Sequence, residues 1–155
     1  MLALKTAKSN GFELTDRKVT VNLENAKVAL GDEVFESTGE YEIGGVEAVY
    51  GQNAALIVWE QLQLVYVFNL QAPTPFEKEQ FATCDILLLP DTLGELAKNI
   101  YTELLDAYDP RLVVFHKGLT MEKSFQEGLK LTETNLVKIT EQTLPIEGRD
   151  LVVVG

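Results

Sequence analysis

Hydrophobic and polar residues alternate through positions 1–35, which is the pattern of strands that bury one face of an antiparallel sheet. The alternation at 2–4 and 12–14 is separated by Lys-Ser-Asn-Gly, and Asn-Gly between alternating runs is a strong hairpin signal. The period of two resumes at 19–23 after a second turn at Asp16-Arg17. This region therefore predicts an antiparallel meander.

The next thirty-five residues continue to favour strands. Residues 36–51 are rich in glycine and β-formers, and they predict two short strands around a bend at Gly44-Gly45. Residues 54–59 and 64–70 predict another strand pair, which turns at 60–63.

The hydrophobic period changes after residue 70 and indicates helices. Thr74-Pro-Phe-Glu77 fits a helix start, with Thr as N-cap, Pro at the first helical position and Glu three residues on, and this helix should end near Thr83. Thr92-Leu-Gly-Glu95 predicts a second capping box that opens a helix over 93–106. A third helix is predicted over 121–130 from its apolar spacing.

Two continuous apolar runs, Ile86–Leu89 and 112–115, flank the second predicted helix. Such runs are typical of strands buried on both faces, and a strand–helix–strand unit makes the two strands parallel. Residues 137–140 and 151–154 predict the final strands. The expected fold class is α/β: one domain over 1–155, in which mixed β-sheets are packed by about three helices.

Composition narrows the classes of function. The net charge of −11 repels a phosphate backbone, and lysine and arginine are scattered, so nucleic-acid binding is not expected. No apolar run approaches the ~20 residues of a membrane span, and residues 1–14 lack a signal-peptide pattern. The single cysteine, Cys84, excludes an internal disulfide and is expected in the core rather than as a nucleophile. A cytoplasmic protein is therefore expected.

Four segments carry a resemblance to a known family, in order and almost end to end. They are Thr38-Gly-Glu-Tyr-Glu-Ile-Gly-Gly-Val46, Cys84-Asp-Ile-Leu-Leu-Leu-Pro90, Asp109-Pro-Arg-Leu-Val-Val-Phe-His116, and the closing stretch from Thr143-Leu-Pro145 to Val154. They resemble the metallo-β-lactamase fold superfamily, in its ascorbate-phosphate lactonase-like branch. The resemblance implies a truncated fold of αββα type.

The chain departs from this family where the family binds metal. The resemblance implies a His-x-His-x-Asp-His loop between Leu23 and Phe35, yet this sequence has one histidine in total and offers only residues 24–33 there. A bridging aspartate expected near 69–71 is also missing. His116 stands at the position of the family's last metal histidine. The metal-binding loop is thus expected to be deleted.

These departures predict a non-catalytic derivative with no catalytic residue, no cofactor and no metal site. Its expected role is a binding or assembly module, which binds an unknown protein partner or forms a homodimer through a sheet rim that the lost loop leaves uncovered. One alternative is a metal-dependent hydrolase with a reduced site around His116, acting on a phosphorylated or lactone substrate. Glu24, Asp32, Glu33 and Cys84 are the candidate makeshift ligands of such a site. A small-molecule sensor that keeps the former cleft is a further alternative.

Other hydrolytic chemistries lack a sequence signal. Ser9, Ser37 and Ser124 are not part of a Gly-x-Ser-x-Gly elbow. Glu40 and Glu42 alternate with apolar residues, so we expect them to point to solvent rather than to form a catalytic carboxylate pair. The glycines between 39 and 51 precede no Lys-Ser/Thr helix start, and they predict turns rather than a phosphate-binding loop.

Overall fold

The computed structural model describes residues 1–8, 10–37 and 39–155. In chain order the strands are β1 (Leu2–Thr6), β2 (Phe12–Thr15), β3 (Thr20–Glu24), β4 (Lys27–Leu30), β5 (Glu33–Phe35), β6 (Gly39–Ile43), β7 (Val46–Tyr50), β8 (Ala54–Trp59), β9 (Leu62–Val67), β10 (Ile86–Leu89), β11 (Glu95–Leu96), β12 (Leu112–His116), β13 (Thr120–Met121), β14 (Thr132–Thr134), β15 (Val137–Ile139) and β16 (Asp150–Val154). The helices are α1 (Pro75–Gln80), α2 (Lys98–Tyr108) and α3 (Lys123–Glu127).

A six-stranded antiparallel sheet has the order β15-β1-β2-β3-β4-β5. The predicted meander over 1–35 is therefore confirmed, although Ser9 in its first turn lies outside the described residues. The second predicted turn is confirmed by Asp16, whose Oδ1 accepts the backbone N–H groups of Lys18 and Val19 at 2.6 and 2.7 Å. An aspartate that bonds the backbone two and three residues on is a common way to fix such a turn.

An eight-stranded mixed sheet has the order β14-β16-β12-β10-β9-β8-β7-β6. Strands β6 to β9 pair antiparallel, and β9, β10, β12, β16 and β14 pair parallel. This confirms the strand–helix–strand unit and the two hairpins predicted over 36–70. Thr38, at the start of the first family-like segment, lies outside the described residues.

The larger sheet separates two hydrophobic cores. One lies between the sheets and includes Phe12, Leu23 and Tyr66. The other lies under the helices and includes Phe81 and Tyr108. The period-two alternation of the first half builds the first core, and the continuous apolar run of β10 contributes to both.

The layers run sheet, sheet, helices. All three helices cover the outer face of the eight-stranded sheet, and the described residues place no α-helix on the outer face of the six-stranded sheet. The broad mixed α/β class with three helices is as expected, but this layer order differs from an αββα sandwich. The uncovered face is polar: Lys5 pairs across strands with Glu13 at 3.7 Å, and Lys27 is exposed. Such a face can remain in contact with water.

All three predicted helices are shorter than expected, and the second and third also begin later. The first starts as predicted, with the capping box of Thr74 and Glu77 formed, but it ends at Gln80. The predicted box at 92–95 is wrong, because Gly94 has a φ of +79° that interrupts the helix and Leu96 pairs in β11 instead. The third helix is shorter than 121–130 because Met121 pairs in β13.

Candidate functional site

The carboxyl ends of β9, β10 and β12 lie side by side at one edge of the eight-stranded sheet, called here the carboxyl edge. In α/β sheets this is where ligands usually bind, because the loops that follow parallel strands converge there. His116 is the last residue of β12, and Asp91 lies two residues beyond the end of β10. The two side chains meet across the neighbouring strands.

His116 has one ring nitrogen engaged and one without a partner. Its Nδ1 accepts the backbone N–H of Gly118 at 2.9 Å, which uses the Nδ1 lone pair and places the proton of the neutral ring on Nε2. Nε2 lies 3.8 Å from Oδ1 of Asp91 and has no hydrogen-bond partner among the described residues. Burial lowers the pKa of His116, and the charge of Asp91 opposes that shift.

The first hairpin of the six-stranded sheet covers this pair. The backbone N–H of Gly11 donates to Oδ1 of Asp91 at 3.0 Å. Phe12 packs edge-on against the ring of His116, with the ring centroids 5.5 Å apart. The side chain of His116 is consequently only 11% exposed.

The tip between β3 and β4 closes a neighbouring part of the same edge. Asn25 and Ala26 form this tip with φ values of 51° and 61°, and the N–H of Ala26 donates to the hydroxyl of Tyr66 at 3.3 Å. Burial raises the pKa of Tyr66 to about 12, and the charges of Asp91 and Glu24 add to the shift. The rim expected to be uncovered is therefore contacted by the chain's own hairpins.

The residues present do not fit the metal centre that the family resemblance implies. A hydrolytic zinc site needs about three protein ligands. Across the described ranges, no three or more His, Cys, Asp or Glu side chains lie together as a metal site would require. His116 would have to release the Gly118 N–H or lose its Nε2 proton to coordinate a cation, and Asp91 is its one acidic neighbour by contact. Residues 69–71 supply no carboxylate.

Of the four candidate ligands, Glu24 ends β3 beside the tip that contacts Tyr66, whereas Cys84, Asp32 and Glu33 lie away from His116. Cys84 precedes the amino end of β10, is 4% exposed, and donates its S–H to the carbonyl of Ile86 at 3.0 Å. Burial raises its pKa, so it is the core residue predicted rather than a reactive thiol. Asp32 and Glu33 are exposed in the turn after β4, at the end of that strand away from the tip beside Tyr66.

The structure also shows where the glutamates and serines considered for other hydrolytic chemistries lie. Glu40 and Glu42 are exposed, as predicted. Ser37 lies 3.4 Å from the hydroxyl of Tyr41, and Ser124 lies on α3 in the helical layer. Neither serine is a partner of His116, so no Ser–His arrangement forms among the described residues.

Asp91 and the role of Tyr66 were not predicted from the sequence. Asp91 carried a usable signal, because it follows a predicted parallel strand whose neighbour ends at His116. Tyr66 carried no such signal, since its position in β9 shows only that it faces a core. Its contact with Ala26 spans forty residues of chain.

A second carboxylate at the carboxyl edge is that of Glu77 on α1, on the side of the sheet that the helices cover. Glu77 is 0% exposed, and its two oxygens accept the backbone N–H groups of Asn53, Ala54 and Thr74 at 2.7, 2.9 and 2.9 Å. The side-chain amide of Asn53 adds a fourth donor at 3.4 Å. A Cβ built on Gly51 would lie 2.7 Å from Oε2 of Glu77, so the close approach requires glycine. This cluster holds α1 against the start of β8.

No family model matches this chain, and no curated protein or solved structure matches it. None of the helices in the described ranges combines the length and apolar character needed to cross a bilayer.

Proposed function

We propose that this chain is a non-catalytic derivative of the metallo-β-lactamase fold that serves as a binding or assembly module. The observation that carries the proposal is the state of His116. Its Nδ1 lone pair is taken by the Gly118 N–H, and its Nε2 faces a single carboxylate at 3.8 Å. One engaged imidazole and one aspartate are too few donors for a catalytic cation.

The arrangement of the chain supports the family relationship. Residues 69–71, where the family's bridging aspartate is expected, follow β9, and His116, at the position of its last metal histidine, ends β12; both strands reach the carboxyl edge. Where the family has its long metal loop, the chain turns through the two-residue tip Asn25-Ala26. A deletion at that tip accounts for the loss of the ligands of the loop, although not of the aspartate near 69–71, and for the direct contact of Ala26 with Tyr66.

The same geometry disfavours metal-free acid–base catalysis by His116. A general base needs a free lone pair within reach of the substrate proton. In the neutral ring Nδ1 is occupied by an N–H donor, while Nε2 carries its proton and is buried beneath Phe12 and the Gly11 hairpin. A substrate would have to displace that hairpin to reach the imidazole.

Metal analysis tests the proposal. Purified protein is dialysed in turn against zinc, iron and manganese, washed, and assayed for bound metal beside His116→Ala and a surface control, Glu79→Gln, whose side chain is exposed on α1. We expect less than stoichiometric metal, equal in all three proteins. Stoichiometric metal that disappears in His116→Ala and persists in Glu79→Gln would overturn the proposal.

An activity screen separates the rival hydrolase. Generic phosphodiester, phosphomonoester and lactone substrates are incubated with each metal-treated protein. We expect no hydrolysis above buffer. Hydrolysis by the wild type that is lost in His116→Ala would support a metal-dependent hydrolase with a reduced site.

Self-association has a specific place to occur. The strands at one flank of the sandwich, β5 and β6, are edges of their sheets. Antiparallel self-pairing of β6 about Tyr41 would set Glu40 opposite Glu42, and like charges directly opposite are unfavourable. Pairing of β5 about Val34, which is 52% exposed, sets Glu33 opposite Phe35, and the like-charge pair of Asp32 and Glu36 falls just outside the strand. Light scattering that gives twice the 17.2 kDa chain mass supports a homodimer, whereas a monomer leaves a different molecule as the partner.

A further inference from the structure

Strand β6 forms the free edge of the eight-stranded sheet on one flank of the sandwich, called here the β6 edge. Its hairpin with β7 turns through Gly44-Gly45, whose φ values of 61° and 82° are both positive, as in a two-residue turn of type I′. Such a turn makes the flanking residues Ile43 and Val46 a hydrogen-bonded pair, and bonded and non-bonded pairs alternate from there. Glu40 and Glu42 therefore take the non-bonded positions, and their backbone N–H and C=O groups point away from β7.

The outward backbone groups of the β6 edge are available to another strand. Within the described ranges, those of Glu40 and Glu42 form no hydrogen bond with another strand, loop or side chain. Lysine, proline and bulges commonly protect a free edge from pairing, yet β6 contains neither residue and pairs with β7 in continuous register. Two donors and two acceptors are thus presented to a strand that would extend the sheet.

Three carboxylates lie on one face of the β6 edge. Glu40 and Glu42 are exposed on the face opposite Tyr41, and Glu47 of β7 is exposed directly across from Glu42. Like charges directly opposite each other destabilise a sheet. None of the three glutamates forms an ion pair in the described part of the chain, so no cation of the chain offsets this repulsion. A cation beside Glu42 would offset it.

The opposite face of the β6 edge is apolar. Tyr41 is partly buried against the core between the sheets, and its ring stacks on that of Phe35 with the centroids 4.1 Å apart. Ile43 is partly buried against the same core. Side chains of an added strand alternate between the two faces, so they meet carboxylates at every second position and apolar side chains between them.

We propose that the β6 edge binds an extended segment of a partner protein in which two basic side chains flank an apolar one. The basic residues lie opposite Glu40 and Glu42, where they bond to the backbone of β6 and place their charges beside the two carboxylates. The apolar residue between them lies on the face of Tyr41. A second copy of the chain is a poorer occupant, because pairing of β6 with itself about Tyr41 sets Glu40 opposite Glu42. The inference rests on the proposed function, since it names the partner class of that binding module.

The experiment titrates the full chain with a peptide of sequence Thr-Lys-Val-Lys-Thr with blocked ends, followed by amide chemical shifts in an NMR spectrum. We expect the largest shifts, to low field, at the amides of Glu40 and Glu42, because each N–H would donate to the peptide. Two control peptides separate the contributions to binding. Methylation of both lysine backbone nitrogens removes the donors of the added strand and keeps its charge, and Thr-Glu-Val-Glu-Thr reverses the charge.

Both control peptides are expected to bind at least about fivefold more weakly than the lysine peptide. Shifts centred elsewhere, or no binding of the lysine peptide at low millimolar concentrations, would overturn the inference. Equal binding of the methylated peptide would also overturn it, because the carboxylates would then attract cations without strand addition. Equal binding of the glutamate peptide would exclude the charge preference.

A double variant tests the β6 edge directly. In Glu40→Gln/Glu42→Gln we expect the Kd for the lysine peptide to rise about fivefold, because each exposed charge pair contributes modestly to affinity. The matched control is Glu103→Gln/Glu127→Gln, which removes the same charge from exposed positions on α2 and α3. Unchanged binding in the edge variant, or equal weakening in both, would contradict a site at β6. Metal analysis of the same proteins tests the proposed function separately, because no residue of the β6 edge contacts His116.

Discussion

Two polar clusters occupy the carboxyl edge, and they differ in how completely their atoms are paired. Glu77, on the helical side, accepts four N–H groups and has no exposed surface. Asp91 and His116, on the side of the smaller sheet, have one backbone donor each, and Nε2 of His116 has no partner in the described part of the chain.

The difference in pairing has opposite consequences for stability. A buried carboxylate that accepts several N–H groups stabilises a fold, since each donor would otherwise be left without a partner. An imidazole nitrogen that is buried without a partner costs free energy and contributes none to stability. The Glu77 cluster is therefore explained by folding alone. Folding alone does not explain the Asp91–His116 pair in this way, because the pairing of its polar atoms is incomplete.

The largest effect is expected from Glu77→Gln. Glutamine keeps one acceptor oxygen and points an NH₂ group at backbone N–H donors, so we expect unfolding to become easier by about 3 kcal/mol. Urea unfolding measures the change. The matched control is Glu79→Gln on the same helix, whose side chain is exposed and should change stability by less than about 0.5 kcal/mol. Equal effects of the two variants would show that the cluster does not stabilise the protein.

Two buried tyrosines show the same contrast between a paired and an unpaired polar atom, here with uncharged hydroxyl groups. The hydroxyl of Tyr66 accepts the Ala26 N–H, whereas the hydroxyl of Tyr50 is buried without a described partner and its ring stacks on Phe68 at 5.0 Å. We expect Tyr66→Phe to cost about 1 kcal/mol and Tyr50→Phe to cost nothing or to stabilise slightly. Thermal unfolding of both variants measures this. A larger loss in Tyr50→Phe would reverse the assignment of which hydroxyl is paired.

Sequence patterns predicted the elements correctly where the contacts that form an element lie close together along the chain. The Asn-Gly hairpin, the Thr74–Glu77 cap and the β10–α2–β12 unit depend on neighbours along the chain, and all three form. The helix start expected at 92–95 failed because β11 pairs with β13, twenty-five residues away. The place of β15 beside β1, at the opposite end of the chain, has no local signal either.

The candidate site was predictable in part. His116 was identified from the family resemblance, as the counterpart of the last metal histidine, and the core role of Cys84 was predicted because free cysteine is usually buried. Asp91 was missed although it follows a buried strand. The closure of the edge by Gly11 and Ala26 was not predictable, because a register between two sheets decides it. The deleted loop therefore led to the expectation of an uncovered rim, which the two hairpins in fact contact.

The smallest effect concerns the pH dependence of stability through His116. Burial lowers the pKa of His116 in the folded protein, so the unfolded chain binds the proton more readily. The neutral buried ring is therefore compatible with folding above the unfolded pKa of about 6.5, and stability falls as the pH drops through that value. We expect wild type to lose more unfolding free energy than His116→Gln between about pH 8 and about pH 5, where histidine titrates. Urea unfolding at both pH values measures the difference. A gain in the stability of wild type relative to His116→Gln on acidification would mean that the imidazolium pairs with Asp91. The two side chains would then stabilise the fold as the fully paired Glu77 does.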